Sequence, residues 1–282
     1  MNALQHPWVV AIAVLYALAL IVSVPALIRR ARRGILVALC LFGLAFALNT
    51  TLIVARWTEA GRPPFKTLFE TMIFYPWCTG LVTLTLIALR RLMVLIPFAS
   101  AVSVMGLAYA LIRPDVELVL MPPALQSAWF VPHVVTYFMS YAALFASFAL
   151  AMVALYAERR EGRLALAGGG TVGGGGPRNA AGWQAHAHGA AIFGVITLTA
   201  GLVMGAVWGK YAWGDYWGWD PKESWALVTW LAYVIYLHLR LMDGWHGRRA
   251  MVVLVCSFAA VVFTYLGMSM LPTADGSLHV YQ

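Results

Sequence analysis

Long apolar runs separated by short polar segments dominate this sequence. Eight runs of roughly 20 residues are each long enough to cross a hydrocarbon core about 30 Å thick as a helix. They lie at 8–28, 35–55, 68–89, 92–112, 133–156, 188–208, 225–242 and 250–270. None has the alternating pattern of a membrane β-barrel strand. The pattern predicts an all-α fold, a polytopic membrane helix bundle of about eight transmembrane helices, with residues 1–282 forming a single integral membrane domain.

Composition and charge agree with a membrane protein. Hydrophobic residues make up 62% of the chain and charged residues 11%, which is more apolar surface than a soluble domain of 282 residues buries. The net charge of +8 comes from short basic clusters between the apolar runs, so we expect no nucleic-acid binding. With the N-terminus outside, thirteen of the nineteen Lys and Arg residues fall in inner loops. The positive-inside rule therefore predicts that the N- and C-termini both lie outside.

Two further features narrow the possible chemistry. Cys40, Cys78 and Cys256 lie far apart inside apolar runs and form no Cys-x-x-Cys pair, which argues against a dithiol carrier or a zinc site. The segment 158–187 contains two runs of glycine, which predicts a flexible Gly-rich cytoplasmic linker.

The densest aromatic segment is 208–225, between the sixth and seventh apolar runs. An interfacial tryptophan belt is the simpler explanation for such residues. At this density, with glycines between them, indole rings instead favour a platform for a flat, apolar ligand. Lys210 and Lys222 are candidates to pair with ligand carboxylates, and a porphyrin with two propionates meets these demands. The five tryptophans are Trp208, Trp213, Trp217, Trp219 and Trp225.

The acidic residues beside this loop have a structural interpretation. Asp220 at the N-cap, Pro221 at the first helical position and Glu223 at the third predict a capping arrangement for the seventh span. Asp220 would then act by fixing how the tryptophans are presented. Glu70 is expected to cap the third span in the same way.

The stretch Trp208–Arg240 resembles the WWD domain of the CcsA (ResC) family of haem-handling proteins in system II cytochrome c maturation, and 61–70 resembles another outer segment of that family. The resemblance implies a haem-binding and haem-exporting subunit of a cytochrome c synthase (haem lyase), working with CcsB (ResB) in the bacterial inner (plasma) membrane. It would present haem b on the periplasmic or exterior face for thioether attachment to apocytochromes with a Cys-x-x-Cys-His segment. The sequence shows no catalytic nucleophile or acid–base pair, so whether the chain is itself an enzyme stays open.

Two histidines are predicted on the same side of the membrane as the tryptophan loop. His133 opens the fifth span and His279 lies in the outward C-terminal tail. Neutral imidazole is a good ligand for haem iron, and two such groups can hold iron from opposite faces of the ring. A frayed terminus is the alternative for His279. By resemblance, both positions match the two external haem-ligand histidines of the family.

His238 is a third candidate, thirteen residues past Trp225 and therefore roughly 20 Å deeper. An ionisable side chain inside the membrane is a functional hypothesis, and a hydrogen bond to a neighbouring helix is the alternative. By resemblance it matches the family's transmembrane haem ligand, with the opposing ligand supplied by CcsB. No ligand role is expected for the remaining histidines, which we place outside or beside the spans: His6, His186, His188 and His246.

Two other functional classes use similar features. A b-type cytochrome subunit for quinone electron transfer would place histidine pairs on facing helices within the membrane, whereas His133 and His279 are peripheral. A transporter for small anions would have polar or broken helices near the middle of the membrane. Apart from His238, the spans contain little of that kind.

Overall fold

The computed structural model describes residues 5–112, 122–166 and 179–267. Within these ranges the chain forms eight α-helices, one short 3₁₀ turn at Pro123–Leu125 and no strand. The helices are α1 (Gln5–Ile28), α2 (Arg32–Ala60), α3 (Leu68–Arg90), α4 (Leu95–Leu111), α5 (Phe130–Leu166), α6 (Ala180–Trp213), α7 (Pro221–Leu241) and α8 (Arg248–Tyr265). The predicted all-helical membrane bundle is confirmed.

Seven of these helices are long and apolar enough to span a membrane. The exception is α4, which has 17 residues and is therefore roughly 25 Å long, shorter than the predicted run 92–112. The difference arises because Arg91 adopts a left-handed conformation at the end of α3, and the chain turns through Leu92–Val94 before α4 begins.

The two longest helices, α5 and α6, have 37 and 34 residues, roughly 55 and 50 Å, so each extends beyond a hydrocarbon core. Both ends of the predicted linker 158–187 are consequently helical. The reason is local composition: residues 157–166 are rich in Ala, Glu, Arg and Leu, which favour helix. At the start of α6 the Asn179 side chain accepts a hydrogen bond from the Gly182 N–H, 2.8 Å. Residues 167–178 lie outside the described residues.

Glycines in α6 allow α5 to pack closely against it. A Cβ atom added at Gly194 would lie 2.5 Å from Leu144 Cδ2, and one added at Gly205 would lie 2.6 Å from His133 Cε1. Small residues at such a contact let helix backbones approach each other inside a bilayer, where no hydrophobic force drives helices together. Hydrogen bonds add to the contact, since Ser140 Oγ donates to the Gly194 carbonyl at 2.8 Å.

The loops gather at two ends of the bundle. At the cavity end, the α2–α3, α4–α5 and α6–α7 connections meet the end of α8 around one cavity, with Phe65, Leu125, Trp217 and Tyr265 among its walls. At the linker end, the last turns of α5 and the first turns of α6 meet the α7–α8 turn. There the Gly247 N–H donates to Gln184 Oε1 at 3.1 Å.

Candidate functional site

The cavity between these three loops and the end of α8 has mainly aromatic walls with a few polar groups. Its polar lining includes His133, Lys66, Lys222 and Glu223. A concave apolar site with a small number of convergent polar groups is the usual form of a cofactor or ligand site. The aromatic residues of its walls are Phe65, Phe130, Tyr137, Phe138, Tyr141, Trp208, Tyr216, Trp217 and Tyr265.

His133 lies in the first turn of α5 and is held by the neighbouring helix. Its Nδ1 atom is 2.9 Å from the Gly201 carbonyl oxygen. Because a carbonyl only accepts hydrogen bonds, Nδ1 is the donor and carries the proton in this contact. The lone pair of the neutral ring is therefore on Nε2, the tautomer required for an imidazole that binds a metal through Nε2.

Trp208 supports this imidazole from the last turns of α6. The two rings are nearly parallel, with centroids 5.7 Å apart and planes inclined at 23°. The indole is 4% exposed, and its Nε1–H donates to the Ala124 carbonyl at 2.8 Å. Trp208 thus connects α6 to the 3₁₀ turn that precedes α5, and it fixes one wall of the cavity beside His133.

The α6–α7 loop has the capping arrangement that the sequence predicts. Asp220 Oδ1 accepts a hydrogen bond from the Lys222 N–H at 2.8 Å. Glu223 Oε2 accepts from the N–H groups of Gly218 at 2.8 Å and Asp220 at 3.2 Å. Trp219 has a φ of 56°, in the left-handed region, which costs a non-glycine residue about 1–2 kcal/mol. The caps therefore hold a loop conformation that the chain would not adopt unaided.

The five tryptophans of the predicted platform do not form one shelf. Trp208 and Trp217 line the cavity. Trp213 lies behind Trp208 with its centroid 4.7 Å away, and Trp219 is 70% exposed and touches the edge of Trp217. Trp225 is in the second turn of α7 and packs against a phenylalanine of α8. The residues are separated because α6 continues to Trp213 and only 214–220 form the loop.

The lysines differ from the prediction in one respect. Lys222 lines the cavity, whereas Lys210 is exposed, donates to the Gly214 carbonyl and lies over the Tyr216 ring at 5.5 Å. A second lysine in the cavity is Lys66, from the α2–α3 loop, which sequence reasoning missed. Its position directly before the N-cap of α3 was the available signal.

A buried ion cluster lies next to Lys66. Glu70 Oε1 accepts hydrogen bonds from Arg56 Nε at 3.2 Å and Arg62 Nη2 at 3.1 Å, and Glu70 Oε2 accepts from Arg62 Nη1 at 3.0 Å. The Glu70 side chain is inaccessible and that of Arg56 is 2% exposed. Sequence reasoning did not predict the two arginine partners.

Glu70 also fixes the backbone that leads into α3. Its Oε2 atom accepts hydrogen bonds from the N–H groups of Lys66 at 2.8 Å and Thr67 at 3.3 Å, while Thr67 Oγ1 accepts from the Glu70 N–H. This capping box confirms the predicted cap of the third span. The same carboxylate therefore joins the ion cluster to the cavity wall.

Of the other histidines, those that the structure describes lie away from this cavity. His238 is exposed in the last turn of α7, at the linker end, seventeen residues after Pro221 and thus roughly 25 Å along the helix. His279 lies outside the described residues. His186 and His188 are within α6 and not beside the spans, because α6 begins at Ala180; His188 Nδ1 is 3.1 Å from Tyr236 Oη.

In the described parts of the chain, no three His, Cys, Asp or Glu residues come together as a metal-binding group. One imidazole among aromatic walls suits an iron ion that already has four nitrogen ligands from a planar macrocycle and needs an axial ligand.

Comparison with known proteins identifies the family to which this chain is similar. The profile of the Cytochrome C assembly protein family matches residues 65–274. Cytochrome c biogenesis protein CcsA of Parasynechococcus marenigrum is 36% identical over 91% of this chain and 90% of its own length. CcsA of Chlamydomonas reinhardtii is 31% identical over 88% of this chain and 69% of its own.

A solved structure shares the fold. Cytochrome c Heme Lyase CcmF superposes on 93% of this chain with a TM-score of 0.70, although the sequences are only 18% identical. The match covers 46% of that chain, so the protein described here spans about half the length of CcmF.

Proposed function

Because this chain belongs to the cytochrome c assembly protein family and is a CcsA-type member of it, we propose that it holds haem b in the cavity at the cavity end for attachment to c-type apocytochromes. The family acts in cytochrome c maturation, and its members are multi-pass membrane proteins that handle haem. The finer assignment, namely which residues bind haem and how it is presented, is our proposal.

The observation that carries the proposal is the meeting of three kinds of side chain in one cavity. His133 offers imidazole in the Nδ1–H tautomer, Trp208 and Trp217 offer flat apolar surfaces, and Lys66 and Lys222 offer positive charge. Haem b needs an axial ligand for iron, apolar contact for its ring and partners for two propionates. The residues present match each of these needs.

We assign the second axial ligand to His279, which belongs to the tail after α8. Two observations support the assignment: α8 ends at the cavity, where Thr264 and Tyr265 form part of the wall, and the tail continues from there. With His133 and His279 on opposite faces of the ring, iron would be six-coordinate. We place this site on the outer side of a bacterial inner membrane, as the distribution of arginine indicates.

The attachment step needs little chemistry from the chain. The histidine of a Cys-x-x-Cys-His segment replaces one of the chain's imidazoles on iron, and each cysteine S–H adds across a haem vinyl double bond. A C–S bond forms, the hydrogen goes to the other vinyl carbon, and no electrons are exchanged with a third component. Holding the vinyl groups close to the thiols supplies proximity and orientation, which explains why no nucleophile or acid–base pair is required.

We assign His238 to a second, inner haem position on the export route. Its side chain is exposed at the surface of the bundle, so it can face another chain within the membrane. A ligand for the opposite face of that haem would come from the partner protein CcsB. An isolated chain would therefore have a complete ligand pair only at the cavity end.

The decisive experiment is a haem titration of the purified full-length chain with His133→Ala and His279→Ala. Replacing residues that merely orient a metal ligand costs 10–100-fold in affinity, so removing a ligand should weaken haem binding by about tenfold or more. The optical spectrum should change from six- to five-coordinate iron, and added imidazole should restore it.

His246→Ala is the matched control, because His246 is exposed in the α7–α8 turn at the linker end. It should bind haem as the wild type does. If His133→Ala and His279→Ala keep the wild-type affinity and spectrum, the assignment of the outer site is wrong.

A further inference from the structure

We propose that Lys66 and Lys222 form a two-point clamp for the two carboxylates of the ligand, so that the cavity selects porphyrins with both propionates free. This inference rests on the proposed function and adds a specificity element to it. Lys66 is the new member of the pair, since nothing in the spacing of the tryptophan loop points to it.

The two lysines come from different elements and line the same cavity. Lys66 is in the α2–α3 loop and Lys222 is in the first turn of α7, and both are half-buried. Charge-assisted hydrogen bonds are stronger where water is partly excluded. Both α3 and α7 begin at this cavity, so the positive ends of two helix dipoles add to the same potential.

Each lysine is fixed through its backbone by a carboxylate cap. The Lys66 N–H donates to Glu70 Oε2 and the Lys222 N–H donates to Asp220 Oδ1, both at 2.8 Å. Glu70 is in turn held by two guanidinium groups. The backbone at both positions is therefore already ordered, so ligand binding does not have to order these two segments. Lys210, which is exposed, lacks such a cap.

Two acidic groups of the described residues lie near the clamp, and both already have partners. Glu70 is paired with Arg56 and Arg62, so its charge is compensated before any ligand arrives. Glu223 lines the cavity, but its Oε2 atom already accepts hydrogen bonds from two backbone N–H groups. Among the described residues that line the cavity, two are lysines and one is a carboxylate residue.

The clamp would determine which edge of the ring is presented. The propionates of haem b occupy one edge of the porphyrin, and the vinyl groups lie away from that edge. Holding both carboxylates at Lys66 and Lys222 therefore leaves the vinyl groups directed away from the α2–α3 loop, towards an incoming thiol. A porphyrin with esterified propionates would still bind through iron and ring contacts, but without this orientation.

The test compares haem b with its dimethyl ester in titrations of the full-length chain in one detergent. The quantity of interest is the ratio of the two dissociation constants, compared between variants so that partition of the ester into detergent cancels. Lys66→Met should reduce the preference for the free acid about tenfold, the size of one charge-assisted hydrogen bond. Lys66→Arg should keep the preference, and Lys210→Met, the matched control, should keep the wild-type ratio.

The outcomes separate the clamp from the function on which it rests. If the wild-type chain binds neither porphyrin, the proposed function fails and the clamp fails with it. If the wild type binds haem b with a histidine-ligated spectrum but Lys66→Met gives the same ratio as Lys210→Met, the clamp alone is wrong. A loss of affinity in Lys66→Met that is equal for acid and ester also overturns it, because it indicates damage to the cavity and not to carboxylate recognition.

Discussion

The two ends of the bundle bear histidines in opposite settings. At the cavity end, His133 is hydrogen-bonded to Gly201, stacked on Trp208 and surrounded by aromatic walls. At the linker end, His238 is exposed on the outside of α7. On our proposal, the first setting orients a haem ligand within one chain. The second would offer a ligand to a neighbouring protein, which would supply the other half of that site.

The same contrast extends to the way the loops are held. The α2–α3 and α6–α7 connections each end in a capping box, with Glu70 and Glu223 accepting backbone N–H groups. At the linker end, α6 has a single side-chain cap from Asn179 without a capping box, and α8 begins after Gly247 without a side-chain cap. Rigid walls suit a site that must hold a flat ring in one orientation.

The largest expected effect on the fold is at the ion cluster of the cavity end. In Glu70→Gln, Arg56 and Arg62 lose the carboxylate that compensates their charge in a buried position. Breaking a buried ion pair by removing one partner costs about 3–5 kcal/mol. We expect a large fall in the thermal unfolding midpoint of the detergent-solubilised protein, together with weaker haem binding because Lys66 loses its backbone anchor.

Asp243→Asn is the control for this change, since Asp243 is an exposed carboxylate in the α7–α8 turn, at the opposite end of the bundle from the cluster. Its midpoint should lie close to that of the wild type. Equal midpoints for the two variants would mean that the cluster does not stabilise the cavity end.

A smaller effect is expected at the contact between α5 and α6. In Gly205→Ala the new Cβ would lie 2.6 Å from His133 Cε1, too close for any real contact, so the imidazole or the helices must move. Overpacking of this kind costs about 1–3 kcal/mol. We expect a lower unfolding midpoint and an altered spectrum of bound haem, because the displaced ring is the proposed ligand.

Gly189→Ala in the same helix is the matched control. An added Cβ there meets nothing within 4 Å, and alanine favours helix over glycine by up to about 1 kcal/mol. This variant should be unchanged or slightly more stable. A spectrum in Gly205→Ala identical to that of Gly189→Ala would contradict the proposed position of the ligand.

The sequence was most informative about features that depend on short stretches of chain, namely the helices and their caps. Apolar runs identified the helices, and the Asp220–Glu223 spacing and the position of Glu70 at the start of the third span identified two caps, because these depend on neighbouring residues only. The last turns of α5 and the first turns of α6 differ from the prediction, because the glycine runs indicate a flexible linker over the whole of 158–187. Residues 157–166 nevertheless have ordinary helix-forming composition.

The assembly of the cavity was less accessible from the sequence. Lys66 and Lys222 are distant along the chain, and they reach one cavity only because α3 packs on α5, α5 on α8 and α8 on α7. The sequence predicts a single tryptophan platform, but the separation of the rings depends on where α6 ends, and helix boundaries are the least certain part of a sequence interpretation. Arg56 directly follows the apolar run 35–55, and its partner is on another helix.

The smallest effect on the isolated chain is expected at the linker end. His238 is exposed, so His238→Ala should change the unfolding free energy by less than about 0.5 kcal/mol. Haem binding by the chain alone should also be nearly unchanged, because we assign the complete ligand pair to the cavity end. In a preparation co-expressed with the CcsB partner, the same variant should lose the inner haem, and added imidazole should restore it. His186→Ala, a histidine near the start of α6, should retain haem in both preparations. If His238→Ala weakens haem binding by the isolated chain as much as His133→Ala does, the two ends do not differ as proposed, and His238 belongs to a site that one chain completes.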